Sequence, residues 1–173
     1  MNYIAKVESP LGLVTVTSDG ESITGLWLPM QMPSADAFEA ACSHARLPVL
    51  EDAEDWLADY FAAKKPELTL PLAPSGNEFR QAVWSVLLQI PYGELTTYGE
   101  VADKVKVRMG KTEMSAQAIG YAVGHNPISI MIPCHRVVGA GGDLTGYSGG
   151  IEYKKKLLEI EGVDMDKLHD PKK

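Results

Sequence analysis

The hydrophobic pattern of this chain changes period once, near Ser75, and that change limits what the chain can fold into. Before it, residues 3–8 and 12–18 alternate apolar and polar around Ser9-Pro10-Leu11-Gly12, as two half-buried strands joined by a turn would. Ile23–Leu28, following Asp19-Gly20, predicts a third strand. Residues 34–48 and 51–63 are expected as helices, with Ser34 and Glu51-Asp52 at their starts and Trp56, Leu57, Tyr60 and Phe61 at helical spacing. Leu68–Ser75, interrupted by Pro71 and Pro74, reads as a linker or a last strand. Residues 1–72 are therefore expected to form a small α/β domain.

From Gly76 the spacing is helical, and 73–173 is expected to be a mainly α domain. Phe79, Val83, Val86 and Leu87 share one face of a helix that Ile90-Pro91-Tyr92-Gly93 stops. Thr96-Thr97-Tyr98 starts a second helix reaching about Val105, and a basic connector, Lys106–Glu113, follows. Ser115 opens a third helix through Val123, which Gly124-His125-Asn126-Pro127 ends. Two short helices across a turn suit a helix-turn-helix reader of DNA. The small residues Ala116, Ala118, Gly120 and Ala122 would let the third helix approach either a groove or another helix, and spacing alone does not choose.

Composition narrows the class further. With 45% hydrophobic residues the chain is globular, yet its apolar runs, such as Ile128–Ile132, are too short to cross a bilayer. Met1–Lys6 lacks the order of a secretory signal, and two cysteines supply no disulfide framework, so a reduced, cytoplasmic setting is expected. The net charge of −7 is unevenly placed: residues 1–75 hold four Lys/Arg against eleven Asp/Glu, and 76–173 hold twelve of each. Lys104, Lys106, Arg108 and Lys111 crowd together in that neutral half. Such a strip fits a nucleic-acid contact confined to the C-terminal part, or a solvated lysine-rich loop.

The chemistry-bearing segment is Ile130-Met131-Ile132-Pro133-Cys134-His135-Arg136-Val137-Val138. An intracellular cysteine is most often buried and inert. Here Pro133 takes the chain out of regular pairing, and His135 and Arg136 stand ready to lower the thiol pKa or to supply a base. Two glycine-rich stretches downstream, Gly139–Gly142 and Gly146–Gly150, suit a loop wall around a planar ligand.

Pro133-Cys134-His135-Arg136-Val137 resembles the acceptor-cysteine motif of the O6-alkylguanine-DNA alkyltransferases, also called methylated-DNA–protein-cysteine methyltransferases. The resemblance runs from Gly76 to Gly162 through Phe79, Val83-Trp84, Ile90–Glu94, Thr97–Ala102, Gly124–Pro127, Leu144–Gly150, Lys154, Leu157-Leu158 and Glu161-Gly162. Ser9–Gly12 and Gly25-Leu26-Trp27 are similar to the family's N-terminal domain. The resemblance implies a ribonuclease-H-like α/β domain followed by a winged helix-turn-helix domain. It also implies direct-reversal repair, in which Cys134 irreversibly takes an alkyl group from O6 of guanine and acts once; O4 of thymine stays open as a second source. The implied partner is double-stranded DNA carrying the alkylated base, bound by a monomer without cofactor or membrane.

The site roles follow from the same resemblance. His135, through a water, takes the Cys134 proton, and Glu161 orients the imidazole. Tyr98 helps protonate the departing guanine, and Asn126 steadies the cysteine turn. Tyr147 and Ser148 line the base pocket. The helix Ser115–Val123, including Ala116, enters the minor groove, and the position of the family's intercalating arginine falls on Gln117. Gln117 fills a gap in the stack without arginine's charge or stacking plane. Thr97 joins the DNA contacts, and Lys106 and Arg108 on a connector longer than the family's would reach phosphates. Arg136 is expected in a structural ion pair; Lys154 either bonds near the cysteine carbonyl or belongs to a solvated helix face. Some relatives hold zinc in the first domain, but Cys42 and His44 alone do not make a closed site, and no metal is expected.

Overall fold

The computed structural model describes residues 2–29, 31, 42–43 (backbone only), 46–144 and 150–170, in two compact units. The first comprises Met1–Ser75 together with Pro127–Met131, and the second comprises Gly76–Asn126 and Ile132–Lys173.

The first unit is built on strands β1 (Asn2–Ser9), β2 (Gly12–Ser18), β3 (Ile23–Trp27) and β4 (Cys42–Ser43), in the order β3-β2-β1-β4. β1 and β2 form the expected antiparallel hairpin, from Tyr3 opposite Ser18 to Ser9 opposite Gly12. Ser9 Oγ closes its turn, accepting from Leu11 N at 3.1 Å and donating to Gly12 O at 2.6 Å. Gly12 sits there at φ 109°, a conformation that a side chain would strain. β2 is buried from Val14 through Ser18, so the alternating pattern marks a strand covered on both faces, with Thr15 and Thr17 inside beside Val14 and Val16.

The helix expected over 34–48 is corrected at its C-terminal end. Cys42–Ser43 pair in parallel with β1, and Pro48 opens a different helix; most of 32–45 lies outside the described residues. α1 spans Pro48–Phe61, starting earlier than the expected residue 51, because proline is pre-set for the first helical position. Its buried face is Val49, Leu50, Ala53, Leu57 and Tyr60. The 68–75 stretch is strand-like: Leu72 bridges Ile23, with Pro71 O and Ala73 N bonded to Ile23 at 2.8 Å each. Ile128 likewise bridges Leu26, with Pro127 O and Ser129 N bonded to it at 3.0 and 3.1 Å.

The second unit holds α2 (Glu78–Leu87), α3 (Tyr98–Met109), α4 (Ala116–Gly124) and α5 (Ile151–Ile160), with a two-stranded parallel sheet of β5 (Thr96–Thr97) and β6 (Val137–Val138). Val83, Trp84, Val86 and Leu87 of α2 pack with Val101, Ala102 and Val105 of α3 and Ile119, Ala122 and Val123 of α4 in its core. Trp84 Nε1, itself buried, donates to Ala122 O at 2.9 Å, so the indole packs without an orphaned donor. Helix starts are capped by side chains: Asn77 for α2, Ser115 for α4, and a full capping box of Thr97 and Glu100 for α3. Each such cap is worth about 1 kcal/mol.

Two expectations are corrected here. α3 runs on to Met109, past Val105, and ends at Gly110 in the left-handed conformation (φ 65°). Lys106 and Arg108 are thus the basic last turn of a helix, complementing its dipole, and not a connector. The presumed small-residue face is not one surface either, since Ala122 is buried and Ala116 is exposed. Among the described residues, no helix is long and apolar enough to cross a membrane.

Candidate active site around Cys134

Cys134–Arg136 form one turn of 3-10 helix entered through Pro133 and left directly into β6. Proline cannot extend a ladder, which is why the apolar run breaks here and a turn replaces the strand. Cys134, His135 and Arg136 are all buried in this turn, at 3%, 0% and 8% exposure.

Asn126, two residues past the end of α4, reaches the turn from the other side. Its Nδ2 donates to Ile132 O at 2.7 Å and to Cys134 Sγ at 3.2 Å. Lys154, on the buried face of α5, donates from Nζ to Val137 O at 2.6 Å. Lys154 is fully buried, not on a solvated helix face, and it holds the carbonyl of the first residue of β6, three residues after Cys134.

Glu161 caps the end of α5 and organises three partners with two oxygens. Oε2 meets His135 Nε2 at 2.5 Å; Oε1 accepts from Arg136 Nε at 2.7 Å and from the backbone N of Gly93 at 2.9 Å. Arg136 is the expected ion pair, further tied by Nη1 to Ile90 O at 2.6 Å and lying over the Tyr92 ring. Burial alone would raise the Glu161 pKa, but the bonds from His135 and Arg136 outweigh it and bring the group down to about 2. His135 is shifted down, because burial disfavours its charged form more than Glu161 favours it. The result is a neutral imidazole beside an ionised carboxylate.

The thiol itself departs from the sequence expectation. Burial pushes the Cys134 pKa up, opposed by the Asn126 hydrogen bond, by the Lys154 charge and by the backbone N–H groups of Cys134 and His135. The side chains of His135 and Arg136 are turned to Glu161. The resting site is thus a neutral thiol next to a neutral base, and the stabilisers of a thiolate are Asn126 and Lys154. Lys154 is the group that sequence reasoning undervalued, since Lys156 is exposed and Lys155 partly so while Lys154 lies on the α5 stripe with Leu157 and Leu158.

Tyr98, the first residue of α3, is half-buried near the thiol. Its pKa is pushed up to about 12 by burial, with smaller contributions from Cys134 and Asp143. Thr97 serves as N-cap, accepting from Glu100 N at 3.1 Å, and Ser115 does the same for Ala118 N at 3.2 Å. Ala116 and Gln117 are exposed in the first turn of α4. Lys106 and Ser115 line one cleft, whereas Arg108 lines another with Val86 of α2 and Gln89 just beyond its end. Tyr147 and Ser148 lie outside the described residues, as do His44 and the side chain of Cys42.

The family model described as 6-O-methylguanine DNA methyltransferase, DNA binding domain, matches residues 78–163, and that family's ribonuclease-like domain matches 2–74. The methylated-DNA–protein-cysteine methyltransferase of Mycobacterium tuberculosis is 40% identical over 163 residues, covering 93% of each chain. This chain belongs to the 6-O-methylguanine DNA methyltransferase family. The Methanosarcina acetivorans methylated-DNA–protein-cysteine methyltransferase is also 40% identical, covering 92% of this chain and 98% of its own. Among solved structures, M. tuberculosis OGT in complex with DNA superimposes with a TM-score of 0.78 at 38% identity, covering 96% of this chain and 94% of that one. The two-part arrangement of a sheet unit and a helical unit is that of the family.

Proposed function

We propose that this protein repairs DNA directly, taking a methyl or larger alkyl group from O6 of guanine onto Cys134 Sγ. The Asn126–Cys134–His135–Glu161 arrangement carries this reading: a buried thiol held by the Asn126 amide, beside a neutral base whose far nitrogen is fixed by an ionised carboxylate. With Nε2 committed to Glu161, Nδ1 receives the thiol proton through a water. The sulfur then attacks the alkyl carbon, the S–C bond forms, and the C–O6 bond breaks with its electrons passing to guanine. Tyr98 donates the proton that the departing base needs and recovers one from the His135 side. The net exchange is thiol and alkylguanine for thioether and guanine. In this reading the alkyl group stays on the Cys134 thioether, so each chain acts once.

The base reaches Cys134 only outside the stack, which costs a few kcal/mol to open. We read the first unit as ribonuclease-H-like and α3–α4 of the second as a winged helix-turn-helix. In that reading α4 lies in the minor groove with Gln117 in the gap, Ala116 and Ser115 beside it, and Lys106 on a phosphate. Thr97 acts by setting Tyr98 at the head of α3. Tyr147 and Ser148 complete the base pocket.

The test is to incubate the protein with a duplex carrying O6-methylguanine and to weigh it by mass spectrometry. A gain of one methylene, absent in Cys134→Ser, is expected. A protein that binds this duplex without gaining mass would sink the transfer reading.

A further inference from the structure

The stretch after α5 turns back onto the loop that leaves the cysteine turn. Beyond Cys134–Arg136 and β6, the backbone reverses so that Gly139 bridges Asp143, with Gly139 N donating to Asp143 O at 2.7 Å. Asp143 in turn bridges His169 in parallel: His169 N donates to Gly142 O, and Leu144 N to His169 O, each at 3.0 Å. The sheet that starts at β5 and β6 is thereby extended by the 143–144 ribbon and then by the chain around His169.

Three further contacts fasten that last ribbon. Met165 and Leu168 pack on the buried cluster of Val138, Leu144 and Leu158, which Val163 also covers. Asp170 pairs with Lys155 of α5 at 2.6 Å. Gly142 lies so close beneath that a Cβ there would come within 2.1 Å of Lys167 O. The family match ends at residue 163, just before this segment. The loop it touches follows the Cys134–Arg136 turn directly through β6, folding back at Gly139 to Asp143, whose charge acts on both Tyr98 and Lys154.

We propose that Asp164–Asp170 is a strap that positions the 139–144 loop against the Cys134 turn and thereby sets the rate of alkyl transfer. It acts through backbone hydrogen bonds to Gly142 and Leu144 and touches no substrate, so its residues are positioning residues. The inference rests on the transfer reading above. A strap of this kind governs how well the reacting groups are aligned and leaves the DNA surface of α4 untouched. Misplacement of a supporting loop by about 1 Å can cost up to 100-fold in rate.

Two variants test it: the chain ending at Val163, and the double substitution Met165→Ala/Leu168→Ala. Single-turnover transfer from a methylated duplex is followed against DNA concentration, with hydrogen exchange read at the Gly139–Leu144 amides. The expected result is a maximal rate lower by about tenfold, a DNA Kd within about twofold of the parent, and faster exchange at Leu144. Rates within about twofold of the parent in both variants would overturn the strap, as would a rate loss that only follows the loss of folded, DNA-binding protein. An unmodified protein that gains no methylene overturns the transfer reading instead, which keeps the two failures apart.

Discussion

His135 Nε2 and Glu161 Oε2 lie 2.5 Å apart with both side chains sealed from solvent, and the same carboxylate holds Arg136 through its other oxygen. Glu161→Gln keeps the shape and removes the charge that balances Arg136. Breaking a buried pair from one side costs about 3–5 kcal/mol, so a marked drop in melting temperature is expected. The imidazole also loses the partner that fixes its tautomer, and transfer to Cys134 should slow by about 100-fold, within the range that general-base catalysis supplies. Thermal melts and single-turnover transfer check this; a rate within about twofold of the parent would remove Glu161 from the mechanism.

Asn126 serves the turn and the thiol with one nitrogen. Asn126→Ala leaves Ile132 O and Cys134 Sγ without that donor, and an unsatisfied buried acceptor costs about 1–3 kcal/mol. Because this hydrogen bond opposes burial at the thiol, its loss should also move the Cys134 pKa further up. The pH dependence of Cys134 alkylation by a small electrophile, compared between parent and variant, reads that shift. A profile that moves to lower pH would contradict the assigned role.

How much of this was visible beforehand follows from range of interaction. The β1–β2 hairpin, the Thr97–Glu100 capping box and the Ser115 cap are set within a few residues, and the pattern displays them. Cys134, His135 and Arg136 were visible as reactive types in a broken strand. What the pattern could not give was direction. Whether Arg136 faces the thiol or Glu161 depends on a partner 25 residues away. Lys154 stays open between a bond near the cysteine carbonyl and a solvated helix face until the placement of α5 buries it. The pattern ends α3 at Val105 because Lys106 and Arg108 look like loop residues, although cations are favourable in a last helical turn.

Acid should destabilise this protein in two stages. His135 is held neutral in the fold, so the unfolded chain binds the extra proton once pH falls below about 6.5, and stability declines from there. Glu161 stays ionised in the fold down to about 2, whereas a free glutamate takes up its proton near 4.3. Its stabilising contribution is complete above that range and is lost as pH falls through it toward the folded value. Denaturant midpoints should hold from pH 7.5 to about 6.5, fall below that, and fall again below about 4.3, and Glu161→Gln should flatten that last limb. A pH-independent midpoint in the parent would refute the assigned charge states.

In the proposed reading, Gln117 sets how firmly α4 holds an opened stack. It sits exposed in the first turn of α4, one residue beyond Ala116, on a chain whose net charge is −7. Glutamine offers hydrogen bonds there but no charge for phosphates and no guanidinium plane for the bases. Gln117→Arg places a cation at the head of the helix, which the dipole slightly opposes, yet the gain from phosphate neutralisation is larger. Tighter binding to duplex DNA is expected, with the slope of log affinity against log salt steeper by about 0.9, the increment for one additional phosphate contact. Transfer at limiting DNA should rise in step, while the maximal rate, set by Cys134, His135 and Glu161, should stay the same. Titrations at several salt concentrations check both claims, and an unchanged salt slope would place residue 117 away from the DNA.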